Sequence, residues 1–238
     1  MILLALDTCD ARGSLALLRD EELLQVVVHK GMGDYSSWVL PAAEKALTAA
    51  GLAMSAVDVY AAATGPGSFT GVRIALTTVK AWSEAYGNGI AGISRLEAMA
   101  SLATAPCEHV AAFFDAHREQ VYGGLYRRDG ATLVPVESDM VADPADFLEW
   151  VNQRSRKGHV SWISLDPEKL TSQDVWHERT AAGETVELSP SALALAIGRI
   201  GRKRALEGRL TDALAVDAEY VRRPDAEVNW KPGVPRGG

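Results

Sequence analysis

A glycine-rich segment of the chain is a candidate anion-binding loop. It runs from Gly65 to Gly71, with the sequence Gly65-Pro66-Gly67-Ser68-Phe69-Thr70-Gly71. It lies between a predicted strand and a predicted helix, where backbone N–H groups and the helix dipole can bind a phosphate. It has neither the Gly-Lys-Ser/Thr ending of a P-loop nor the dinucleotide fingerprint, and Lys80 comes too late on the helix. The alternative, which turn chemistry favours, is a tight turn in which Ser68 or Thr70 caps the helix.

The pair Asp7-Thr8 is a weaker nucleotide candidate, at the end of the first predicted strand. A carboxylate there could face a phosphate or its metal, although aspartate at a strand end is more often a turn residue. Cys9 has no identifiable base that would make it a nucleophile. The histidines have no i,i+4 pair and no carboxylate at metal-ligand spacing; they are His29, His109, His117, His159 and His177. We therefore predict no catalytic residue and no metal site.

Basic side chains concentrate near the end of the last predicted helix. They could hold RNA phosphates. Alternatively, they could complement the negative end of the helix and solvate its exposed face, and the pattern favours this second interpretation. The residues are Arg199, Arg202, Lys203, Arg204 and Arg209. The whole chain carries 24 Lys and Arg against 31 Asp and Glu, a net charge of −7, which opposes general attraction to nucleic acid. Any contact with RNA must therefore be local.

The elements that position these groups alternate between strand and helix in the first half of the chain. Three short strands joined by short turns must be antiparallel neighbours. Helix and strand units then follow in turn. The predicted strands are 2–6, 13–18, 23–28, 57–63 and 90–93, and the predicted helices are 37–50, 70–86 and 95–102. This order is typical of a ribonuclease H-like or actin-like half domain, an α/β fold with a mixed sheet flanked by helices.

Capping residues set the predicted helix boundaries. Ser36 or Ser37 is the expected N-cap of the first helix, with Pro41 in its first turn and Gly51 at its C-terminal end. Ser189-Pro190 has the pattern of a helix start and predicts a last helix that ends at Gly208.

The second half of the chain predicts a hairpin, a short helix and one more strand. The hairpin comprises 110–114 and 121–126, the helix begins at Asp143-Pro144, and the strand is 160–164. The segment 165–187 has no clear pattern. We predict a first lobe over 1–104, a second over 105–228 and a flexible tail over 229–238.

The first two long helices are apolar on most of their faces. Their few charges lie on narrow stripes, which predicts protein contacts on several sides. Either the helices form an interface with another subunit, or both are central helices of the fold. The pattern does not separate these two interpretations.

Four motifs resemble the TsaB (YeaZ) family in the same order and spacing. They are Leu3-Leu4-Ala5-Leu6-Asp7-Thr8, the glycine loop with Val72-Arg73, Asp115-Ala116-His117-Arg118-Glu119-Gln120-Val121-Tyr122, and Tyr220-Val221-Arg222-Arg223-Pro224-Asp225-Ala226-Glu227. The glycine loop is the most specific of them, and the resemblance is weakest between 125 and 187. It implies an actin-like (ASKHA) fold of two lobes.

The resemblance also implies a non-catalytic subunit of the complex that makes threonylcarbamoyladenosine beside the tRNA anticodon. Such a subunit binds and stabilises TsaD, helps to recruit the ATPase TsaE, meets tRNA through the complex, and forms a homodimer when alone. It binds no cofactor itself, while the complex uses ATP with Mg²⁺ and a metal in TsaD. Mapped onto this sequence, the interface comprises Trp38, Leu40, Leu47, Val72, Leu76, Val79 and Trp82, with Gly65, Pro66, Gly67, Ser68, Phe69, Thr70 and Gly71 shaping it.

Two other function classes remain open on the residues. Asp7 and the glycine loop are the basis for an actin-superfamily ATPase or kinase-like enzyme, and the basic cluster is the basis for a tRNA-binding module. The two cysteines have no disulfide or zinc spacing, and the apolar start of the chain is too short for a leader or a membrane span. We therefore expect a cytoplasmic location without a membrane anchor.

Overall fold

A computed structural model describes residues 1–31, 34–130, 132–156, 158–219 and 221. The predicted tail at 229–238, and the last motif apart from Val221, lie outside the described residues. The first of two sheets has the strand order β3-β2-β1-β4-β5. Its first three strands are antiparallel, and β4 and β5 continue parallel to β1. The strands are β1 Ile2–Asp7, β2 Ser14–Arg19, β3 Glu22–Val28, β4 Val59–Gly65 and β5 Gly89–Ser94.

The second sheet has six strands and is also mixed. Its order is β11-β10-β6-β7-β8, and β9 pairs with another part of β7. The strands β6, β10 and β11 are parallel, whereas β7 is antiparallel to its neighbours. The strands are β6 His109–Asp115, β7 Val121–Asp129, β8 Thr132–Pro135, β9 Met140–Ala142, β10 Val160–Ser164 and β11 Val186–Leu188. Two mixed sheets flanked by helices confirm the predicted actin-like α/β class.

Seven α-helices are present in the described residues. They are α1 Tyr35–Ala49, α2 Phe69–Tyr86, α3 Arg95–Ala100, α4 Pro144–Arg154, α5 Glu168–Thr171, α6 His177–Ala181 and α7 Ala194–Leu206, with 3₁₀ turns at Met54–Ala56 and Asp174–Trp176. The segment without a clear sequence pattern therefore contains α5, a 3₁₀ turn, α6 and the start of β11. These elements are three to five residues long, too short for a periodic pattern. None of the described helices has the length and apolarity of a bilayer crossing.

The start of α1 differs from the prediction. Asp34, not a serine, is the N-cap, and its carboxylate accepts the N–H of Ser36 at 2.9 Å. Pro41 is consequently the seventh helical residue rather than part of the first turn. The C-terminal end is confirmed, because Gly51 has φ +66° and the N–H of Leu52 returns to a carbonyl of the last turn.

The start of α7 was also predicted too early. Ser189 is still held by the second sheet, since its N–H donates to the carbonyl of Ser164 at 2.7 Å. The helix begins at Ala194, whose N–H donates to Ser14 Oγ of the first sheet at 3.1 Å. Pro190 has a sequence position that favours a helix start, but it does not set the start of α7. The hydrogen bonds of Ser189 and Ala194 to the two sheets fix the chain between them instead. The predicted end at Gly208 is confirmed by its φ of +69°.

The helix α7 packs against the first sheet, although it lies in the segment predicted as the second lobe. Gly198 and Gly201 allow this close approach, since a Cβ on either would lie under 3 Å from Leu18 or Ala61. The helix α3 lies between the two sheets, and one main core includes residues of both. A second core covers the other face of the second sheet. The boundary at 104/105 stays a prediction.

Candidate functional site

The glycine loop is pressed against the chain that follows β1. The N–H of Ser68 donates to the carbonyl of Cys9 at 2.8 Å, and Thr8 Oγ1 donates to the carbonyl of Gly71 at 2.6 Å. A Cβ on Gly67 or Gly71 would overlap the backbone of Cys9 or Thr8. The glycines are therefore required for backbone contact rather than for an approaching phosphate.

The loop also determines where α2 begins. Ser68 is the N-cap, and its Oγ accepts the N–H of Gly71 at 3.3 Å, so the predicted capping by Ser68 is confirmed. Gly87 ends the helix in the left-handed conformation, with φ +73°. The geometry favours the interpretation of the loop as a turn that starts a helix.

Asp7 and Thr8 are both fully buried. One carboxylate oxygen of Asp7 accepts the N–H of Cys9 at 2.9 Å, and the other lies 3.3 Å from Arg95 Nε. The side chain of Thr8 is bonded to the glycine loop. Neither residue lines the groove between α1 and α2 or the larger cavity beside α3, so their role as nucleotide candidates stays a prediction.

An open groove of about 580 Å³ lies between α1 and α2. Its lining combines exposed apolar side chains with small ones, and Arg73 is charged. The lining residues are Ser36, Val39, Leu40, Phe69, Thr70, Arg73, Ile74, Thr77, Thr78, Ala81 and Trp82. The guanidinium of Arg73 stands 3.8 Å from the centre of the Phe69 ring, a cation–π contact between two of the lining residues. The groove is an accessible surface between the first two helices.

The structure separates the predicted interface residues into two groups. Leu40 is 59% exposed and lines the groove, and the edge of Trp82 reaches it as well. The others do not line it. Trp38 packs its ring against His29 and Tyr35.

Four predicted interface residues are buried in the core of the chain itself. They are Leu47, Val72, Leu76 and Val79, each at most 5% exposed. They hold the helices on the sheet and are not accessible to a partner in this conformation, so their assignment to an interface stays a prediction. Apolar character alone does not tell which face of a helix meets its own sheet.

Apart from Thr70, sequence analysis did not single out the residues along one face of α2 that line the groove. Thr70, Ile74, Thr77 and Ala81 recur at intervals of four, three and four residues, the spacing of one helix face. Threonine and alanine did not stand out as contact residues because neither is strongly apolar. The spacing was nevertheless readable from the sequence.

The turn between β6 and β7 carries the third motif and has an unusual backbone. His117, Arg118 and Glu119 have φ of +60°, +54° and +61°, although none of them is glycine. The left-handed conformation costs roughly 1–2 kcal/mol per residue for such side chains. Two backbone hydrogen bonds made by Gln120 close the turn. Three exposed side chains are thereby presented at the end of β6.

Three arginines of the basic cluster pair with separate acidic partners. Arg202 pairs with Glu21 at 3.2 Å, and Arg204 with Glu97 at 2.5 Å. Arg209 pairs with Glu207, and Lys203 bonds Thr132. Ion pairing of this kind favours the structural interpretation over an open RNA-binding patch. Within the described ranges, no three His, Cys, Asp or Glu side chains converge as a metal site.

A second, larger cavity of about 840 Å³ lies between α3, α7 and β8. Asp139 is at its wall, where its carboxylate accepts hydrogen bonds from Ser94 at 2.5 Å and Tyr126 at 2.8 Å. Burial raises the pKa of Asp139 above its ordinary value, against the effect of those two bonds. Burial likewise raises the pKa of Glu97, despite its pairing with Arg204.

Known proteins match this chain over nearly its full length. A family model described as TsaD: tRNA N6-adenosine threonylcarbamoyltransferase matches residues 30–230. The chain belongs to this family. Among its relatives is the tRNA threonylcarbamoyladenosine biosynthesis protein TsaB of Bacillus subtilis, 27% identical, with 97% of this chain and 98% of that protein covered. The TsaB of Haemophilus influenzae is also 27% identical, with 97% and 96% covered.

Solved structures support the same assignment. The crystal structure of a Pseudomonas aeruginosa protein, described as similar to peptidase YeaZ, superposes with a TM-score of 0.71 at 26% identity. The match covers 93% of this chain and 99% of that one. The sequence-based assignment to the TsaB (YeaZ) family is therefore confirmed.

Proposed function

We propose that the chain acts in tRNA threonylcarbamoyladenosine biosynthesis as a non-catalytic subunit that binds TsaD through the groove between α1 and α2. The names of its TsaB relatives support the process. The observation that carries the mode of action is the groove itself, an apolar surface left open beside two helices that are otherwise packed on the sheet.

The chemistry of the groove suits another helix. Thr77, Thr78 and Ala81 have short side chains, so the axis of a partner helix can come close to α2. Leu40 and Phe69 are exposed at its sides. Burial of an apolar side chain of this size contributes about 1.5–3 kcal/mol, so a few such contacts support a stable complex.

The non-catalytic part of the proposal rests on the contacts of Asp7 and Thr8 at the end of β1. The carboxylate of Asp7 already has partners on both oxygens, and Thr8 is bonded to the glycine loop. Neither group is free to position a phosphate in this conformation. This supports a scaffold over the ATPase or kinase-like alternative.

The remaining parts of the proposal follow the resemblance. We infer that the subunit helps to recruit TsaE, reaches tRNA only within the complex, and pairs with a second copy through the same groove when TsaD is absent. ATP, Mg²⁺ and the catalytic metal would then belong to the other subunits. The ion pairs of Arg202, Arg204 and Arg209 support an indirect contact with tRNA.

Co-expression with the TsaD of the same organism tests the proposal. Ala81→Arg places a long charged side chain in the groove and should abolish co-elution on size-exclusion chromatography. Ala49→Arg is the matched control, because Ala49 is an exposed alanine about 180° around α1 from Leu40, at 100° per residue. We expect this control to bind TsaD normally.

The outcomes separate the two parts of the proposal. If the unmodified chain never co-elutes with TsaD, the scaffold function is wrong. If it co-elutes and Ala81→Arg does so equally well while folded, the function stands and the groove is not the interface.

A further inference from the structure

Arg95 is a fully buried arginine that connects the two sheets. It is the first residue of α3 and is 1% exposed. Its Nε lies 3.3 Å from Asp7 Oδ2, and its Nη2 lies 3.0 Å from Asp10 Oδ2. Its guanidinium also stands 5.0 Å from the centre of the Phe114 ring, on β6 of the second sheet. One side chain therefore contacts the turn after β1 and the strand β6 together.

Two carboxylates from the same turn converge on this single cation. Asp7 is completely buried, and a buried carboxylate without a counter-ion is strongly unfavourable. Asp10 is partly exposed, but its Oδ2 is directed to the same guanidinium. Two carboxylates beside one position are also a common way to hold Mg²⁺ or a similar divalent cation, which keeps water as its remaining ligands. A positive charge is required here, and the chain supplies it.

We propose that Arg95 is a resident counter-ion that takes the place of a bound divalent cation between Asp7 and Asp10 and thereby joins the two sheets without any ligand. The position at the end of β1 is the one at which a carboxylate could otherwise face a metal-bound phosphate. Because the guanidinium occupies this position, the arrangement of the two sheets does not depend on a bound nucleotide. A subunit that acts by shape alone gains from this independence.

Arginine is suited to this position for three reasons. Its planar guanidinium has five N–H donors, so it can bond two carboxylates at once. It is weakly hydrated compared with an ammonium group, which lowers the cost of burial. It can also stack on an aromatic ring, here Phe114. Lysine would supply the charge, but its three N–H donors are all on one nitrogen atom and it has no planar group to stack on the ring.

Uptake of Mn²⁺ by the isolated chain tests the proposal independently of TsaD. Arg95→Met removes the charge and retains an apolar stem. We expect this variant to bind one Mn²⁺ per chain in electron paramagnetic resonance titrations at millimolar metal, and its Tm to rise as Mn²⁺ is added. The unmodified chain and Arg95→Lys should show neither effect, because each keeps a positive charge between the carboxylates.

Asp7→Asn in the Arg95→Met background is the matched control for surface binding. It should remove both the Mn²⁺ uptake and the Tm rise. The proposal is overturned if folded Arg95→Met takes up no more Mn²⁺ than this double variant, or if the unmodified chain takes up as much as Arg95→Met.

A folding failure of Arg95→Met would still decide the question. The triple variant Arg95→Met, Asp7→Asn, Asp10→Asn has no uncompensated charge left, so it should fold where the single variant does not. If the triple variant also fails to fold, Arg95 acts through its packing rather than its charge, and the proposal is wrong.

Discussion

Substitution of Gly71 by alanine tests which of two opposing effects on stability is larger, the higher helix propensity of alanine or the close backbone contact at this position. Gly71 is the third residue of α2, and alanine is favoured over glycine within a helix by about 1 kcal/mol. On propensity alone, Gly71→Ala should stabilise the protein. The structure predicts the opposite, because a Cβ at this position would lie 2.9 Å from the carbonyl carbon of Thr8 and would overlap its oxygen. The obstacle is backbone, which cannot rotate away.

The size of the effect follows from what must move. The start of α2 has to separate from the chain after β1, which breaks the 2.6 Å bond from Thr8 Oγ1 to the Gly71 carbonyl. The bond of Ser68 N–H to Cys9 is also lost. Each bond contributes about 1 kcal/mol, and overpacking costs about 1–3 kcal/mol. After the propensity gain, we expect a net destabilisation of roughly 2–4 kcal/mol.

Urea unfolding followed by tryptophan fluorescence measures the difference. Thr70→Ala is the control, because Thr70 is the exposed neighbour in the same helical turn and should change the free energy of unfolding by less than about 0.5 kcal/mol. A Gly71→Ala variant that is as stable as the unmodified chain, or more stable, would refute the close approach of α2 to the chain after β1.

Three further predictions follow from single side chains. Burial alone would raise the pKa of Asp10, but the charge and hydrogen bond of Arg95 outweigh it and hold the pKa below its ordinary value. The stability that Asp10 contributes is therefore fully present above the pKa of the unfolded state and is lost as the pH falls through the pKa of the folded state. Asp10→Asn should consequently be destabilising at pH 7 and neutral in acid. Urea unfolding at several pH values measures this difference. Val79→Asp should unfold the chain because Val79 is fully buried, whereas Thr77→Asp should remain folded by circular dichroism and lose only TsaD binding. Glu184→Ala should cost about 3–5 kcal/mol in urea unfolding, because it leaves the buried Arg179 without its 2.8 Å ion pair; a cost under 1 kcal/mol would contradict this.

The order of the early elements was predictable because each depends on neighbouring residues. Short turns require the first three strands to be antiparallel, and Ser68 and Gly87 mark the ends of α2 within a residue. The family assignment followed from motifs that are likewise local. The predicted strands at Val160–Ser164 and after Val121 hold for the same reason.

Contacts between distant residues decided what the sequence left open. The true starts of α1 and α7 depend on Asp34 and on Ser14, and in the second case the two bonded residues are 180 positions apart. The choice between an interface and a central helix was open because α1 and α2 each have one face buried against the sheet and another that lines the groove.

Local sequence patterns were sufficient to predict the class of fold, the glycine loop as a helix start and the family. Only the tertiary structure determined that Leu47 and Val79 are core while Leu40 and Ala81 face the groove, and that Arg95 meets Asp7 across 88 residues of chain. The physical reason is that local conformation depends on a residue's immediate neighbours, whereas burial and charge pairing depend on which elements the folded chain brings together.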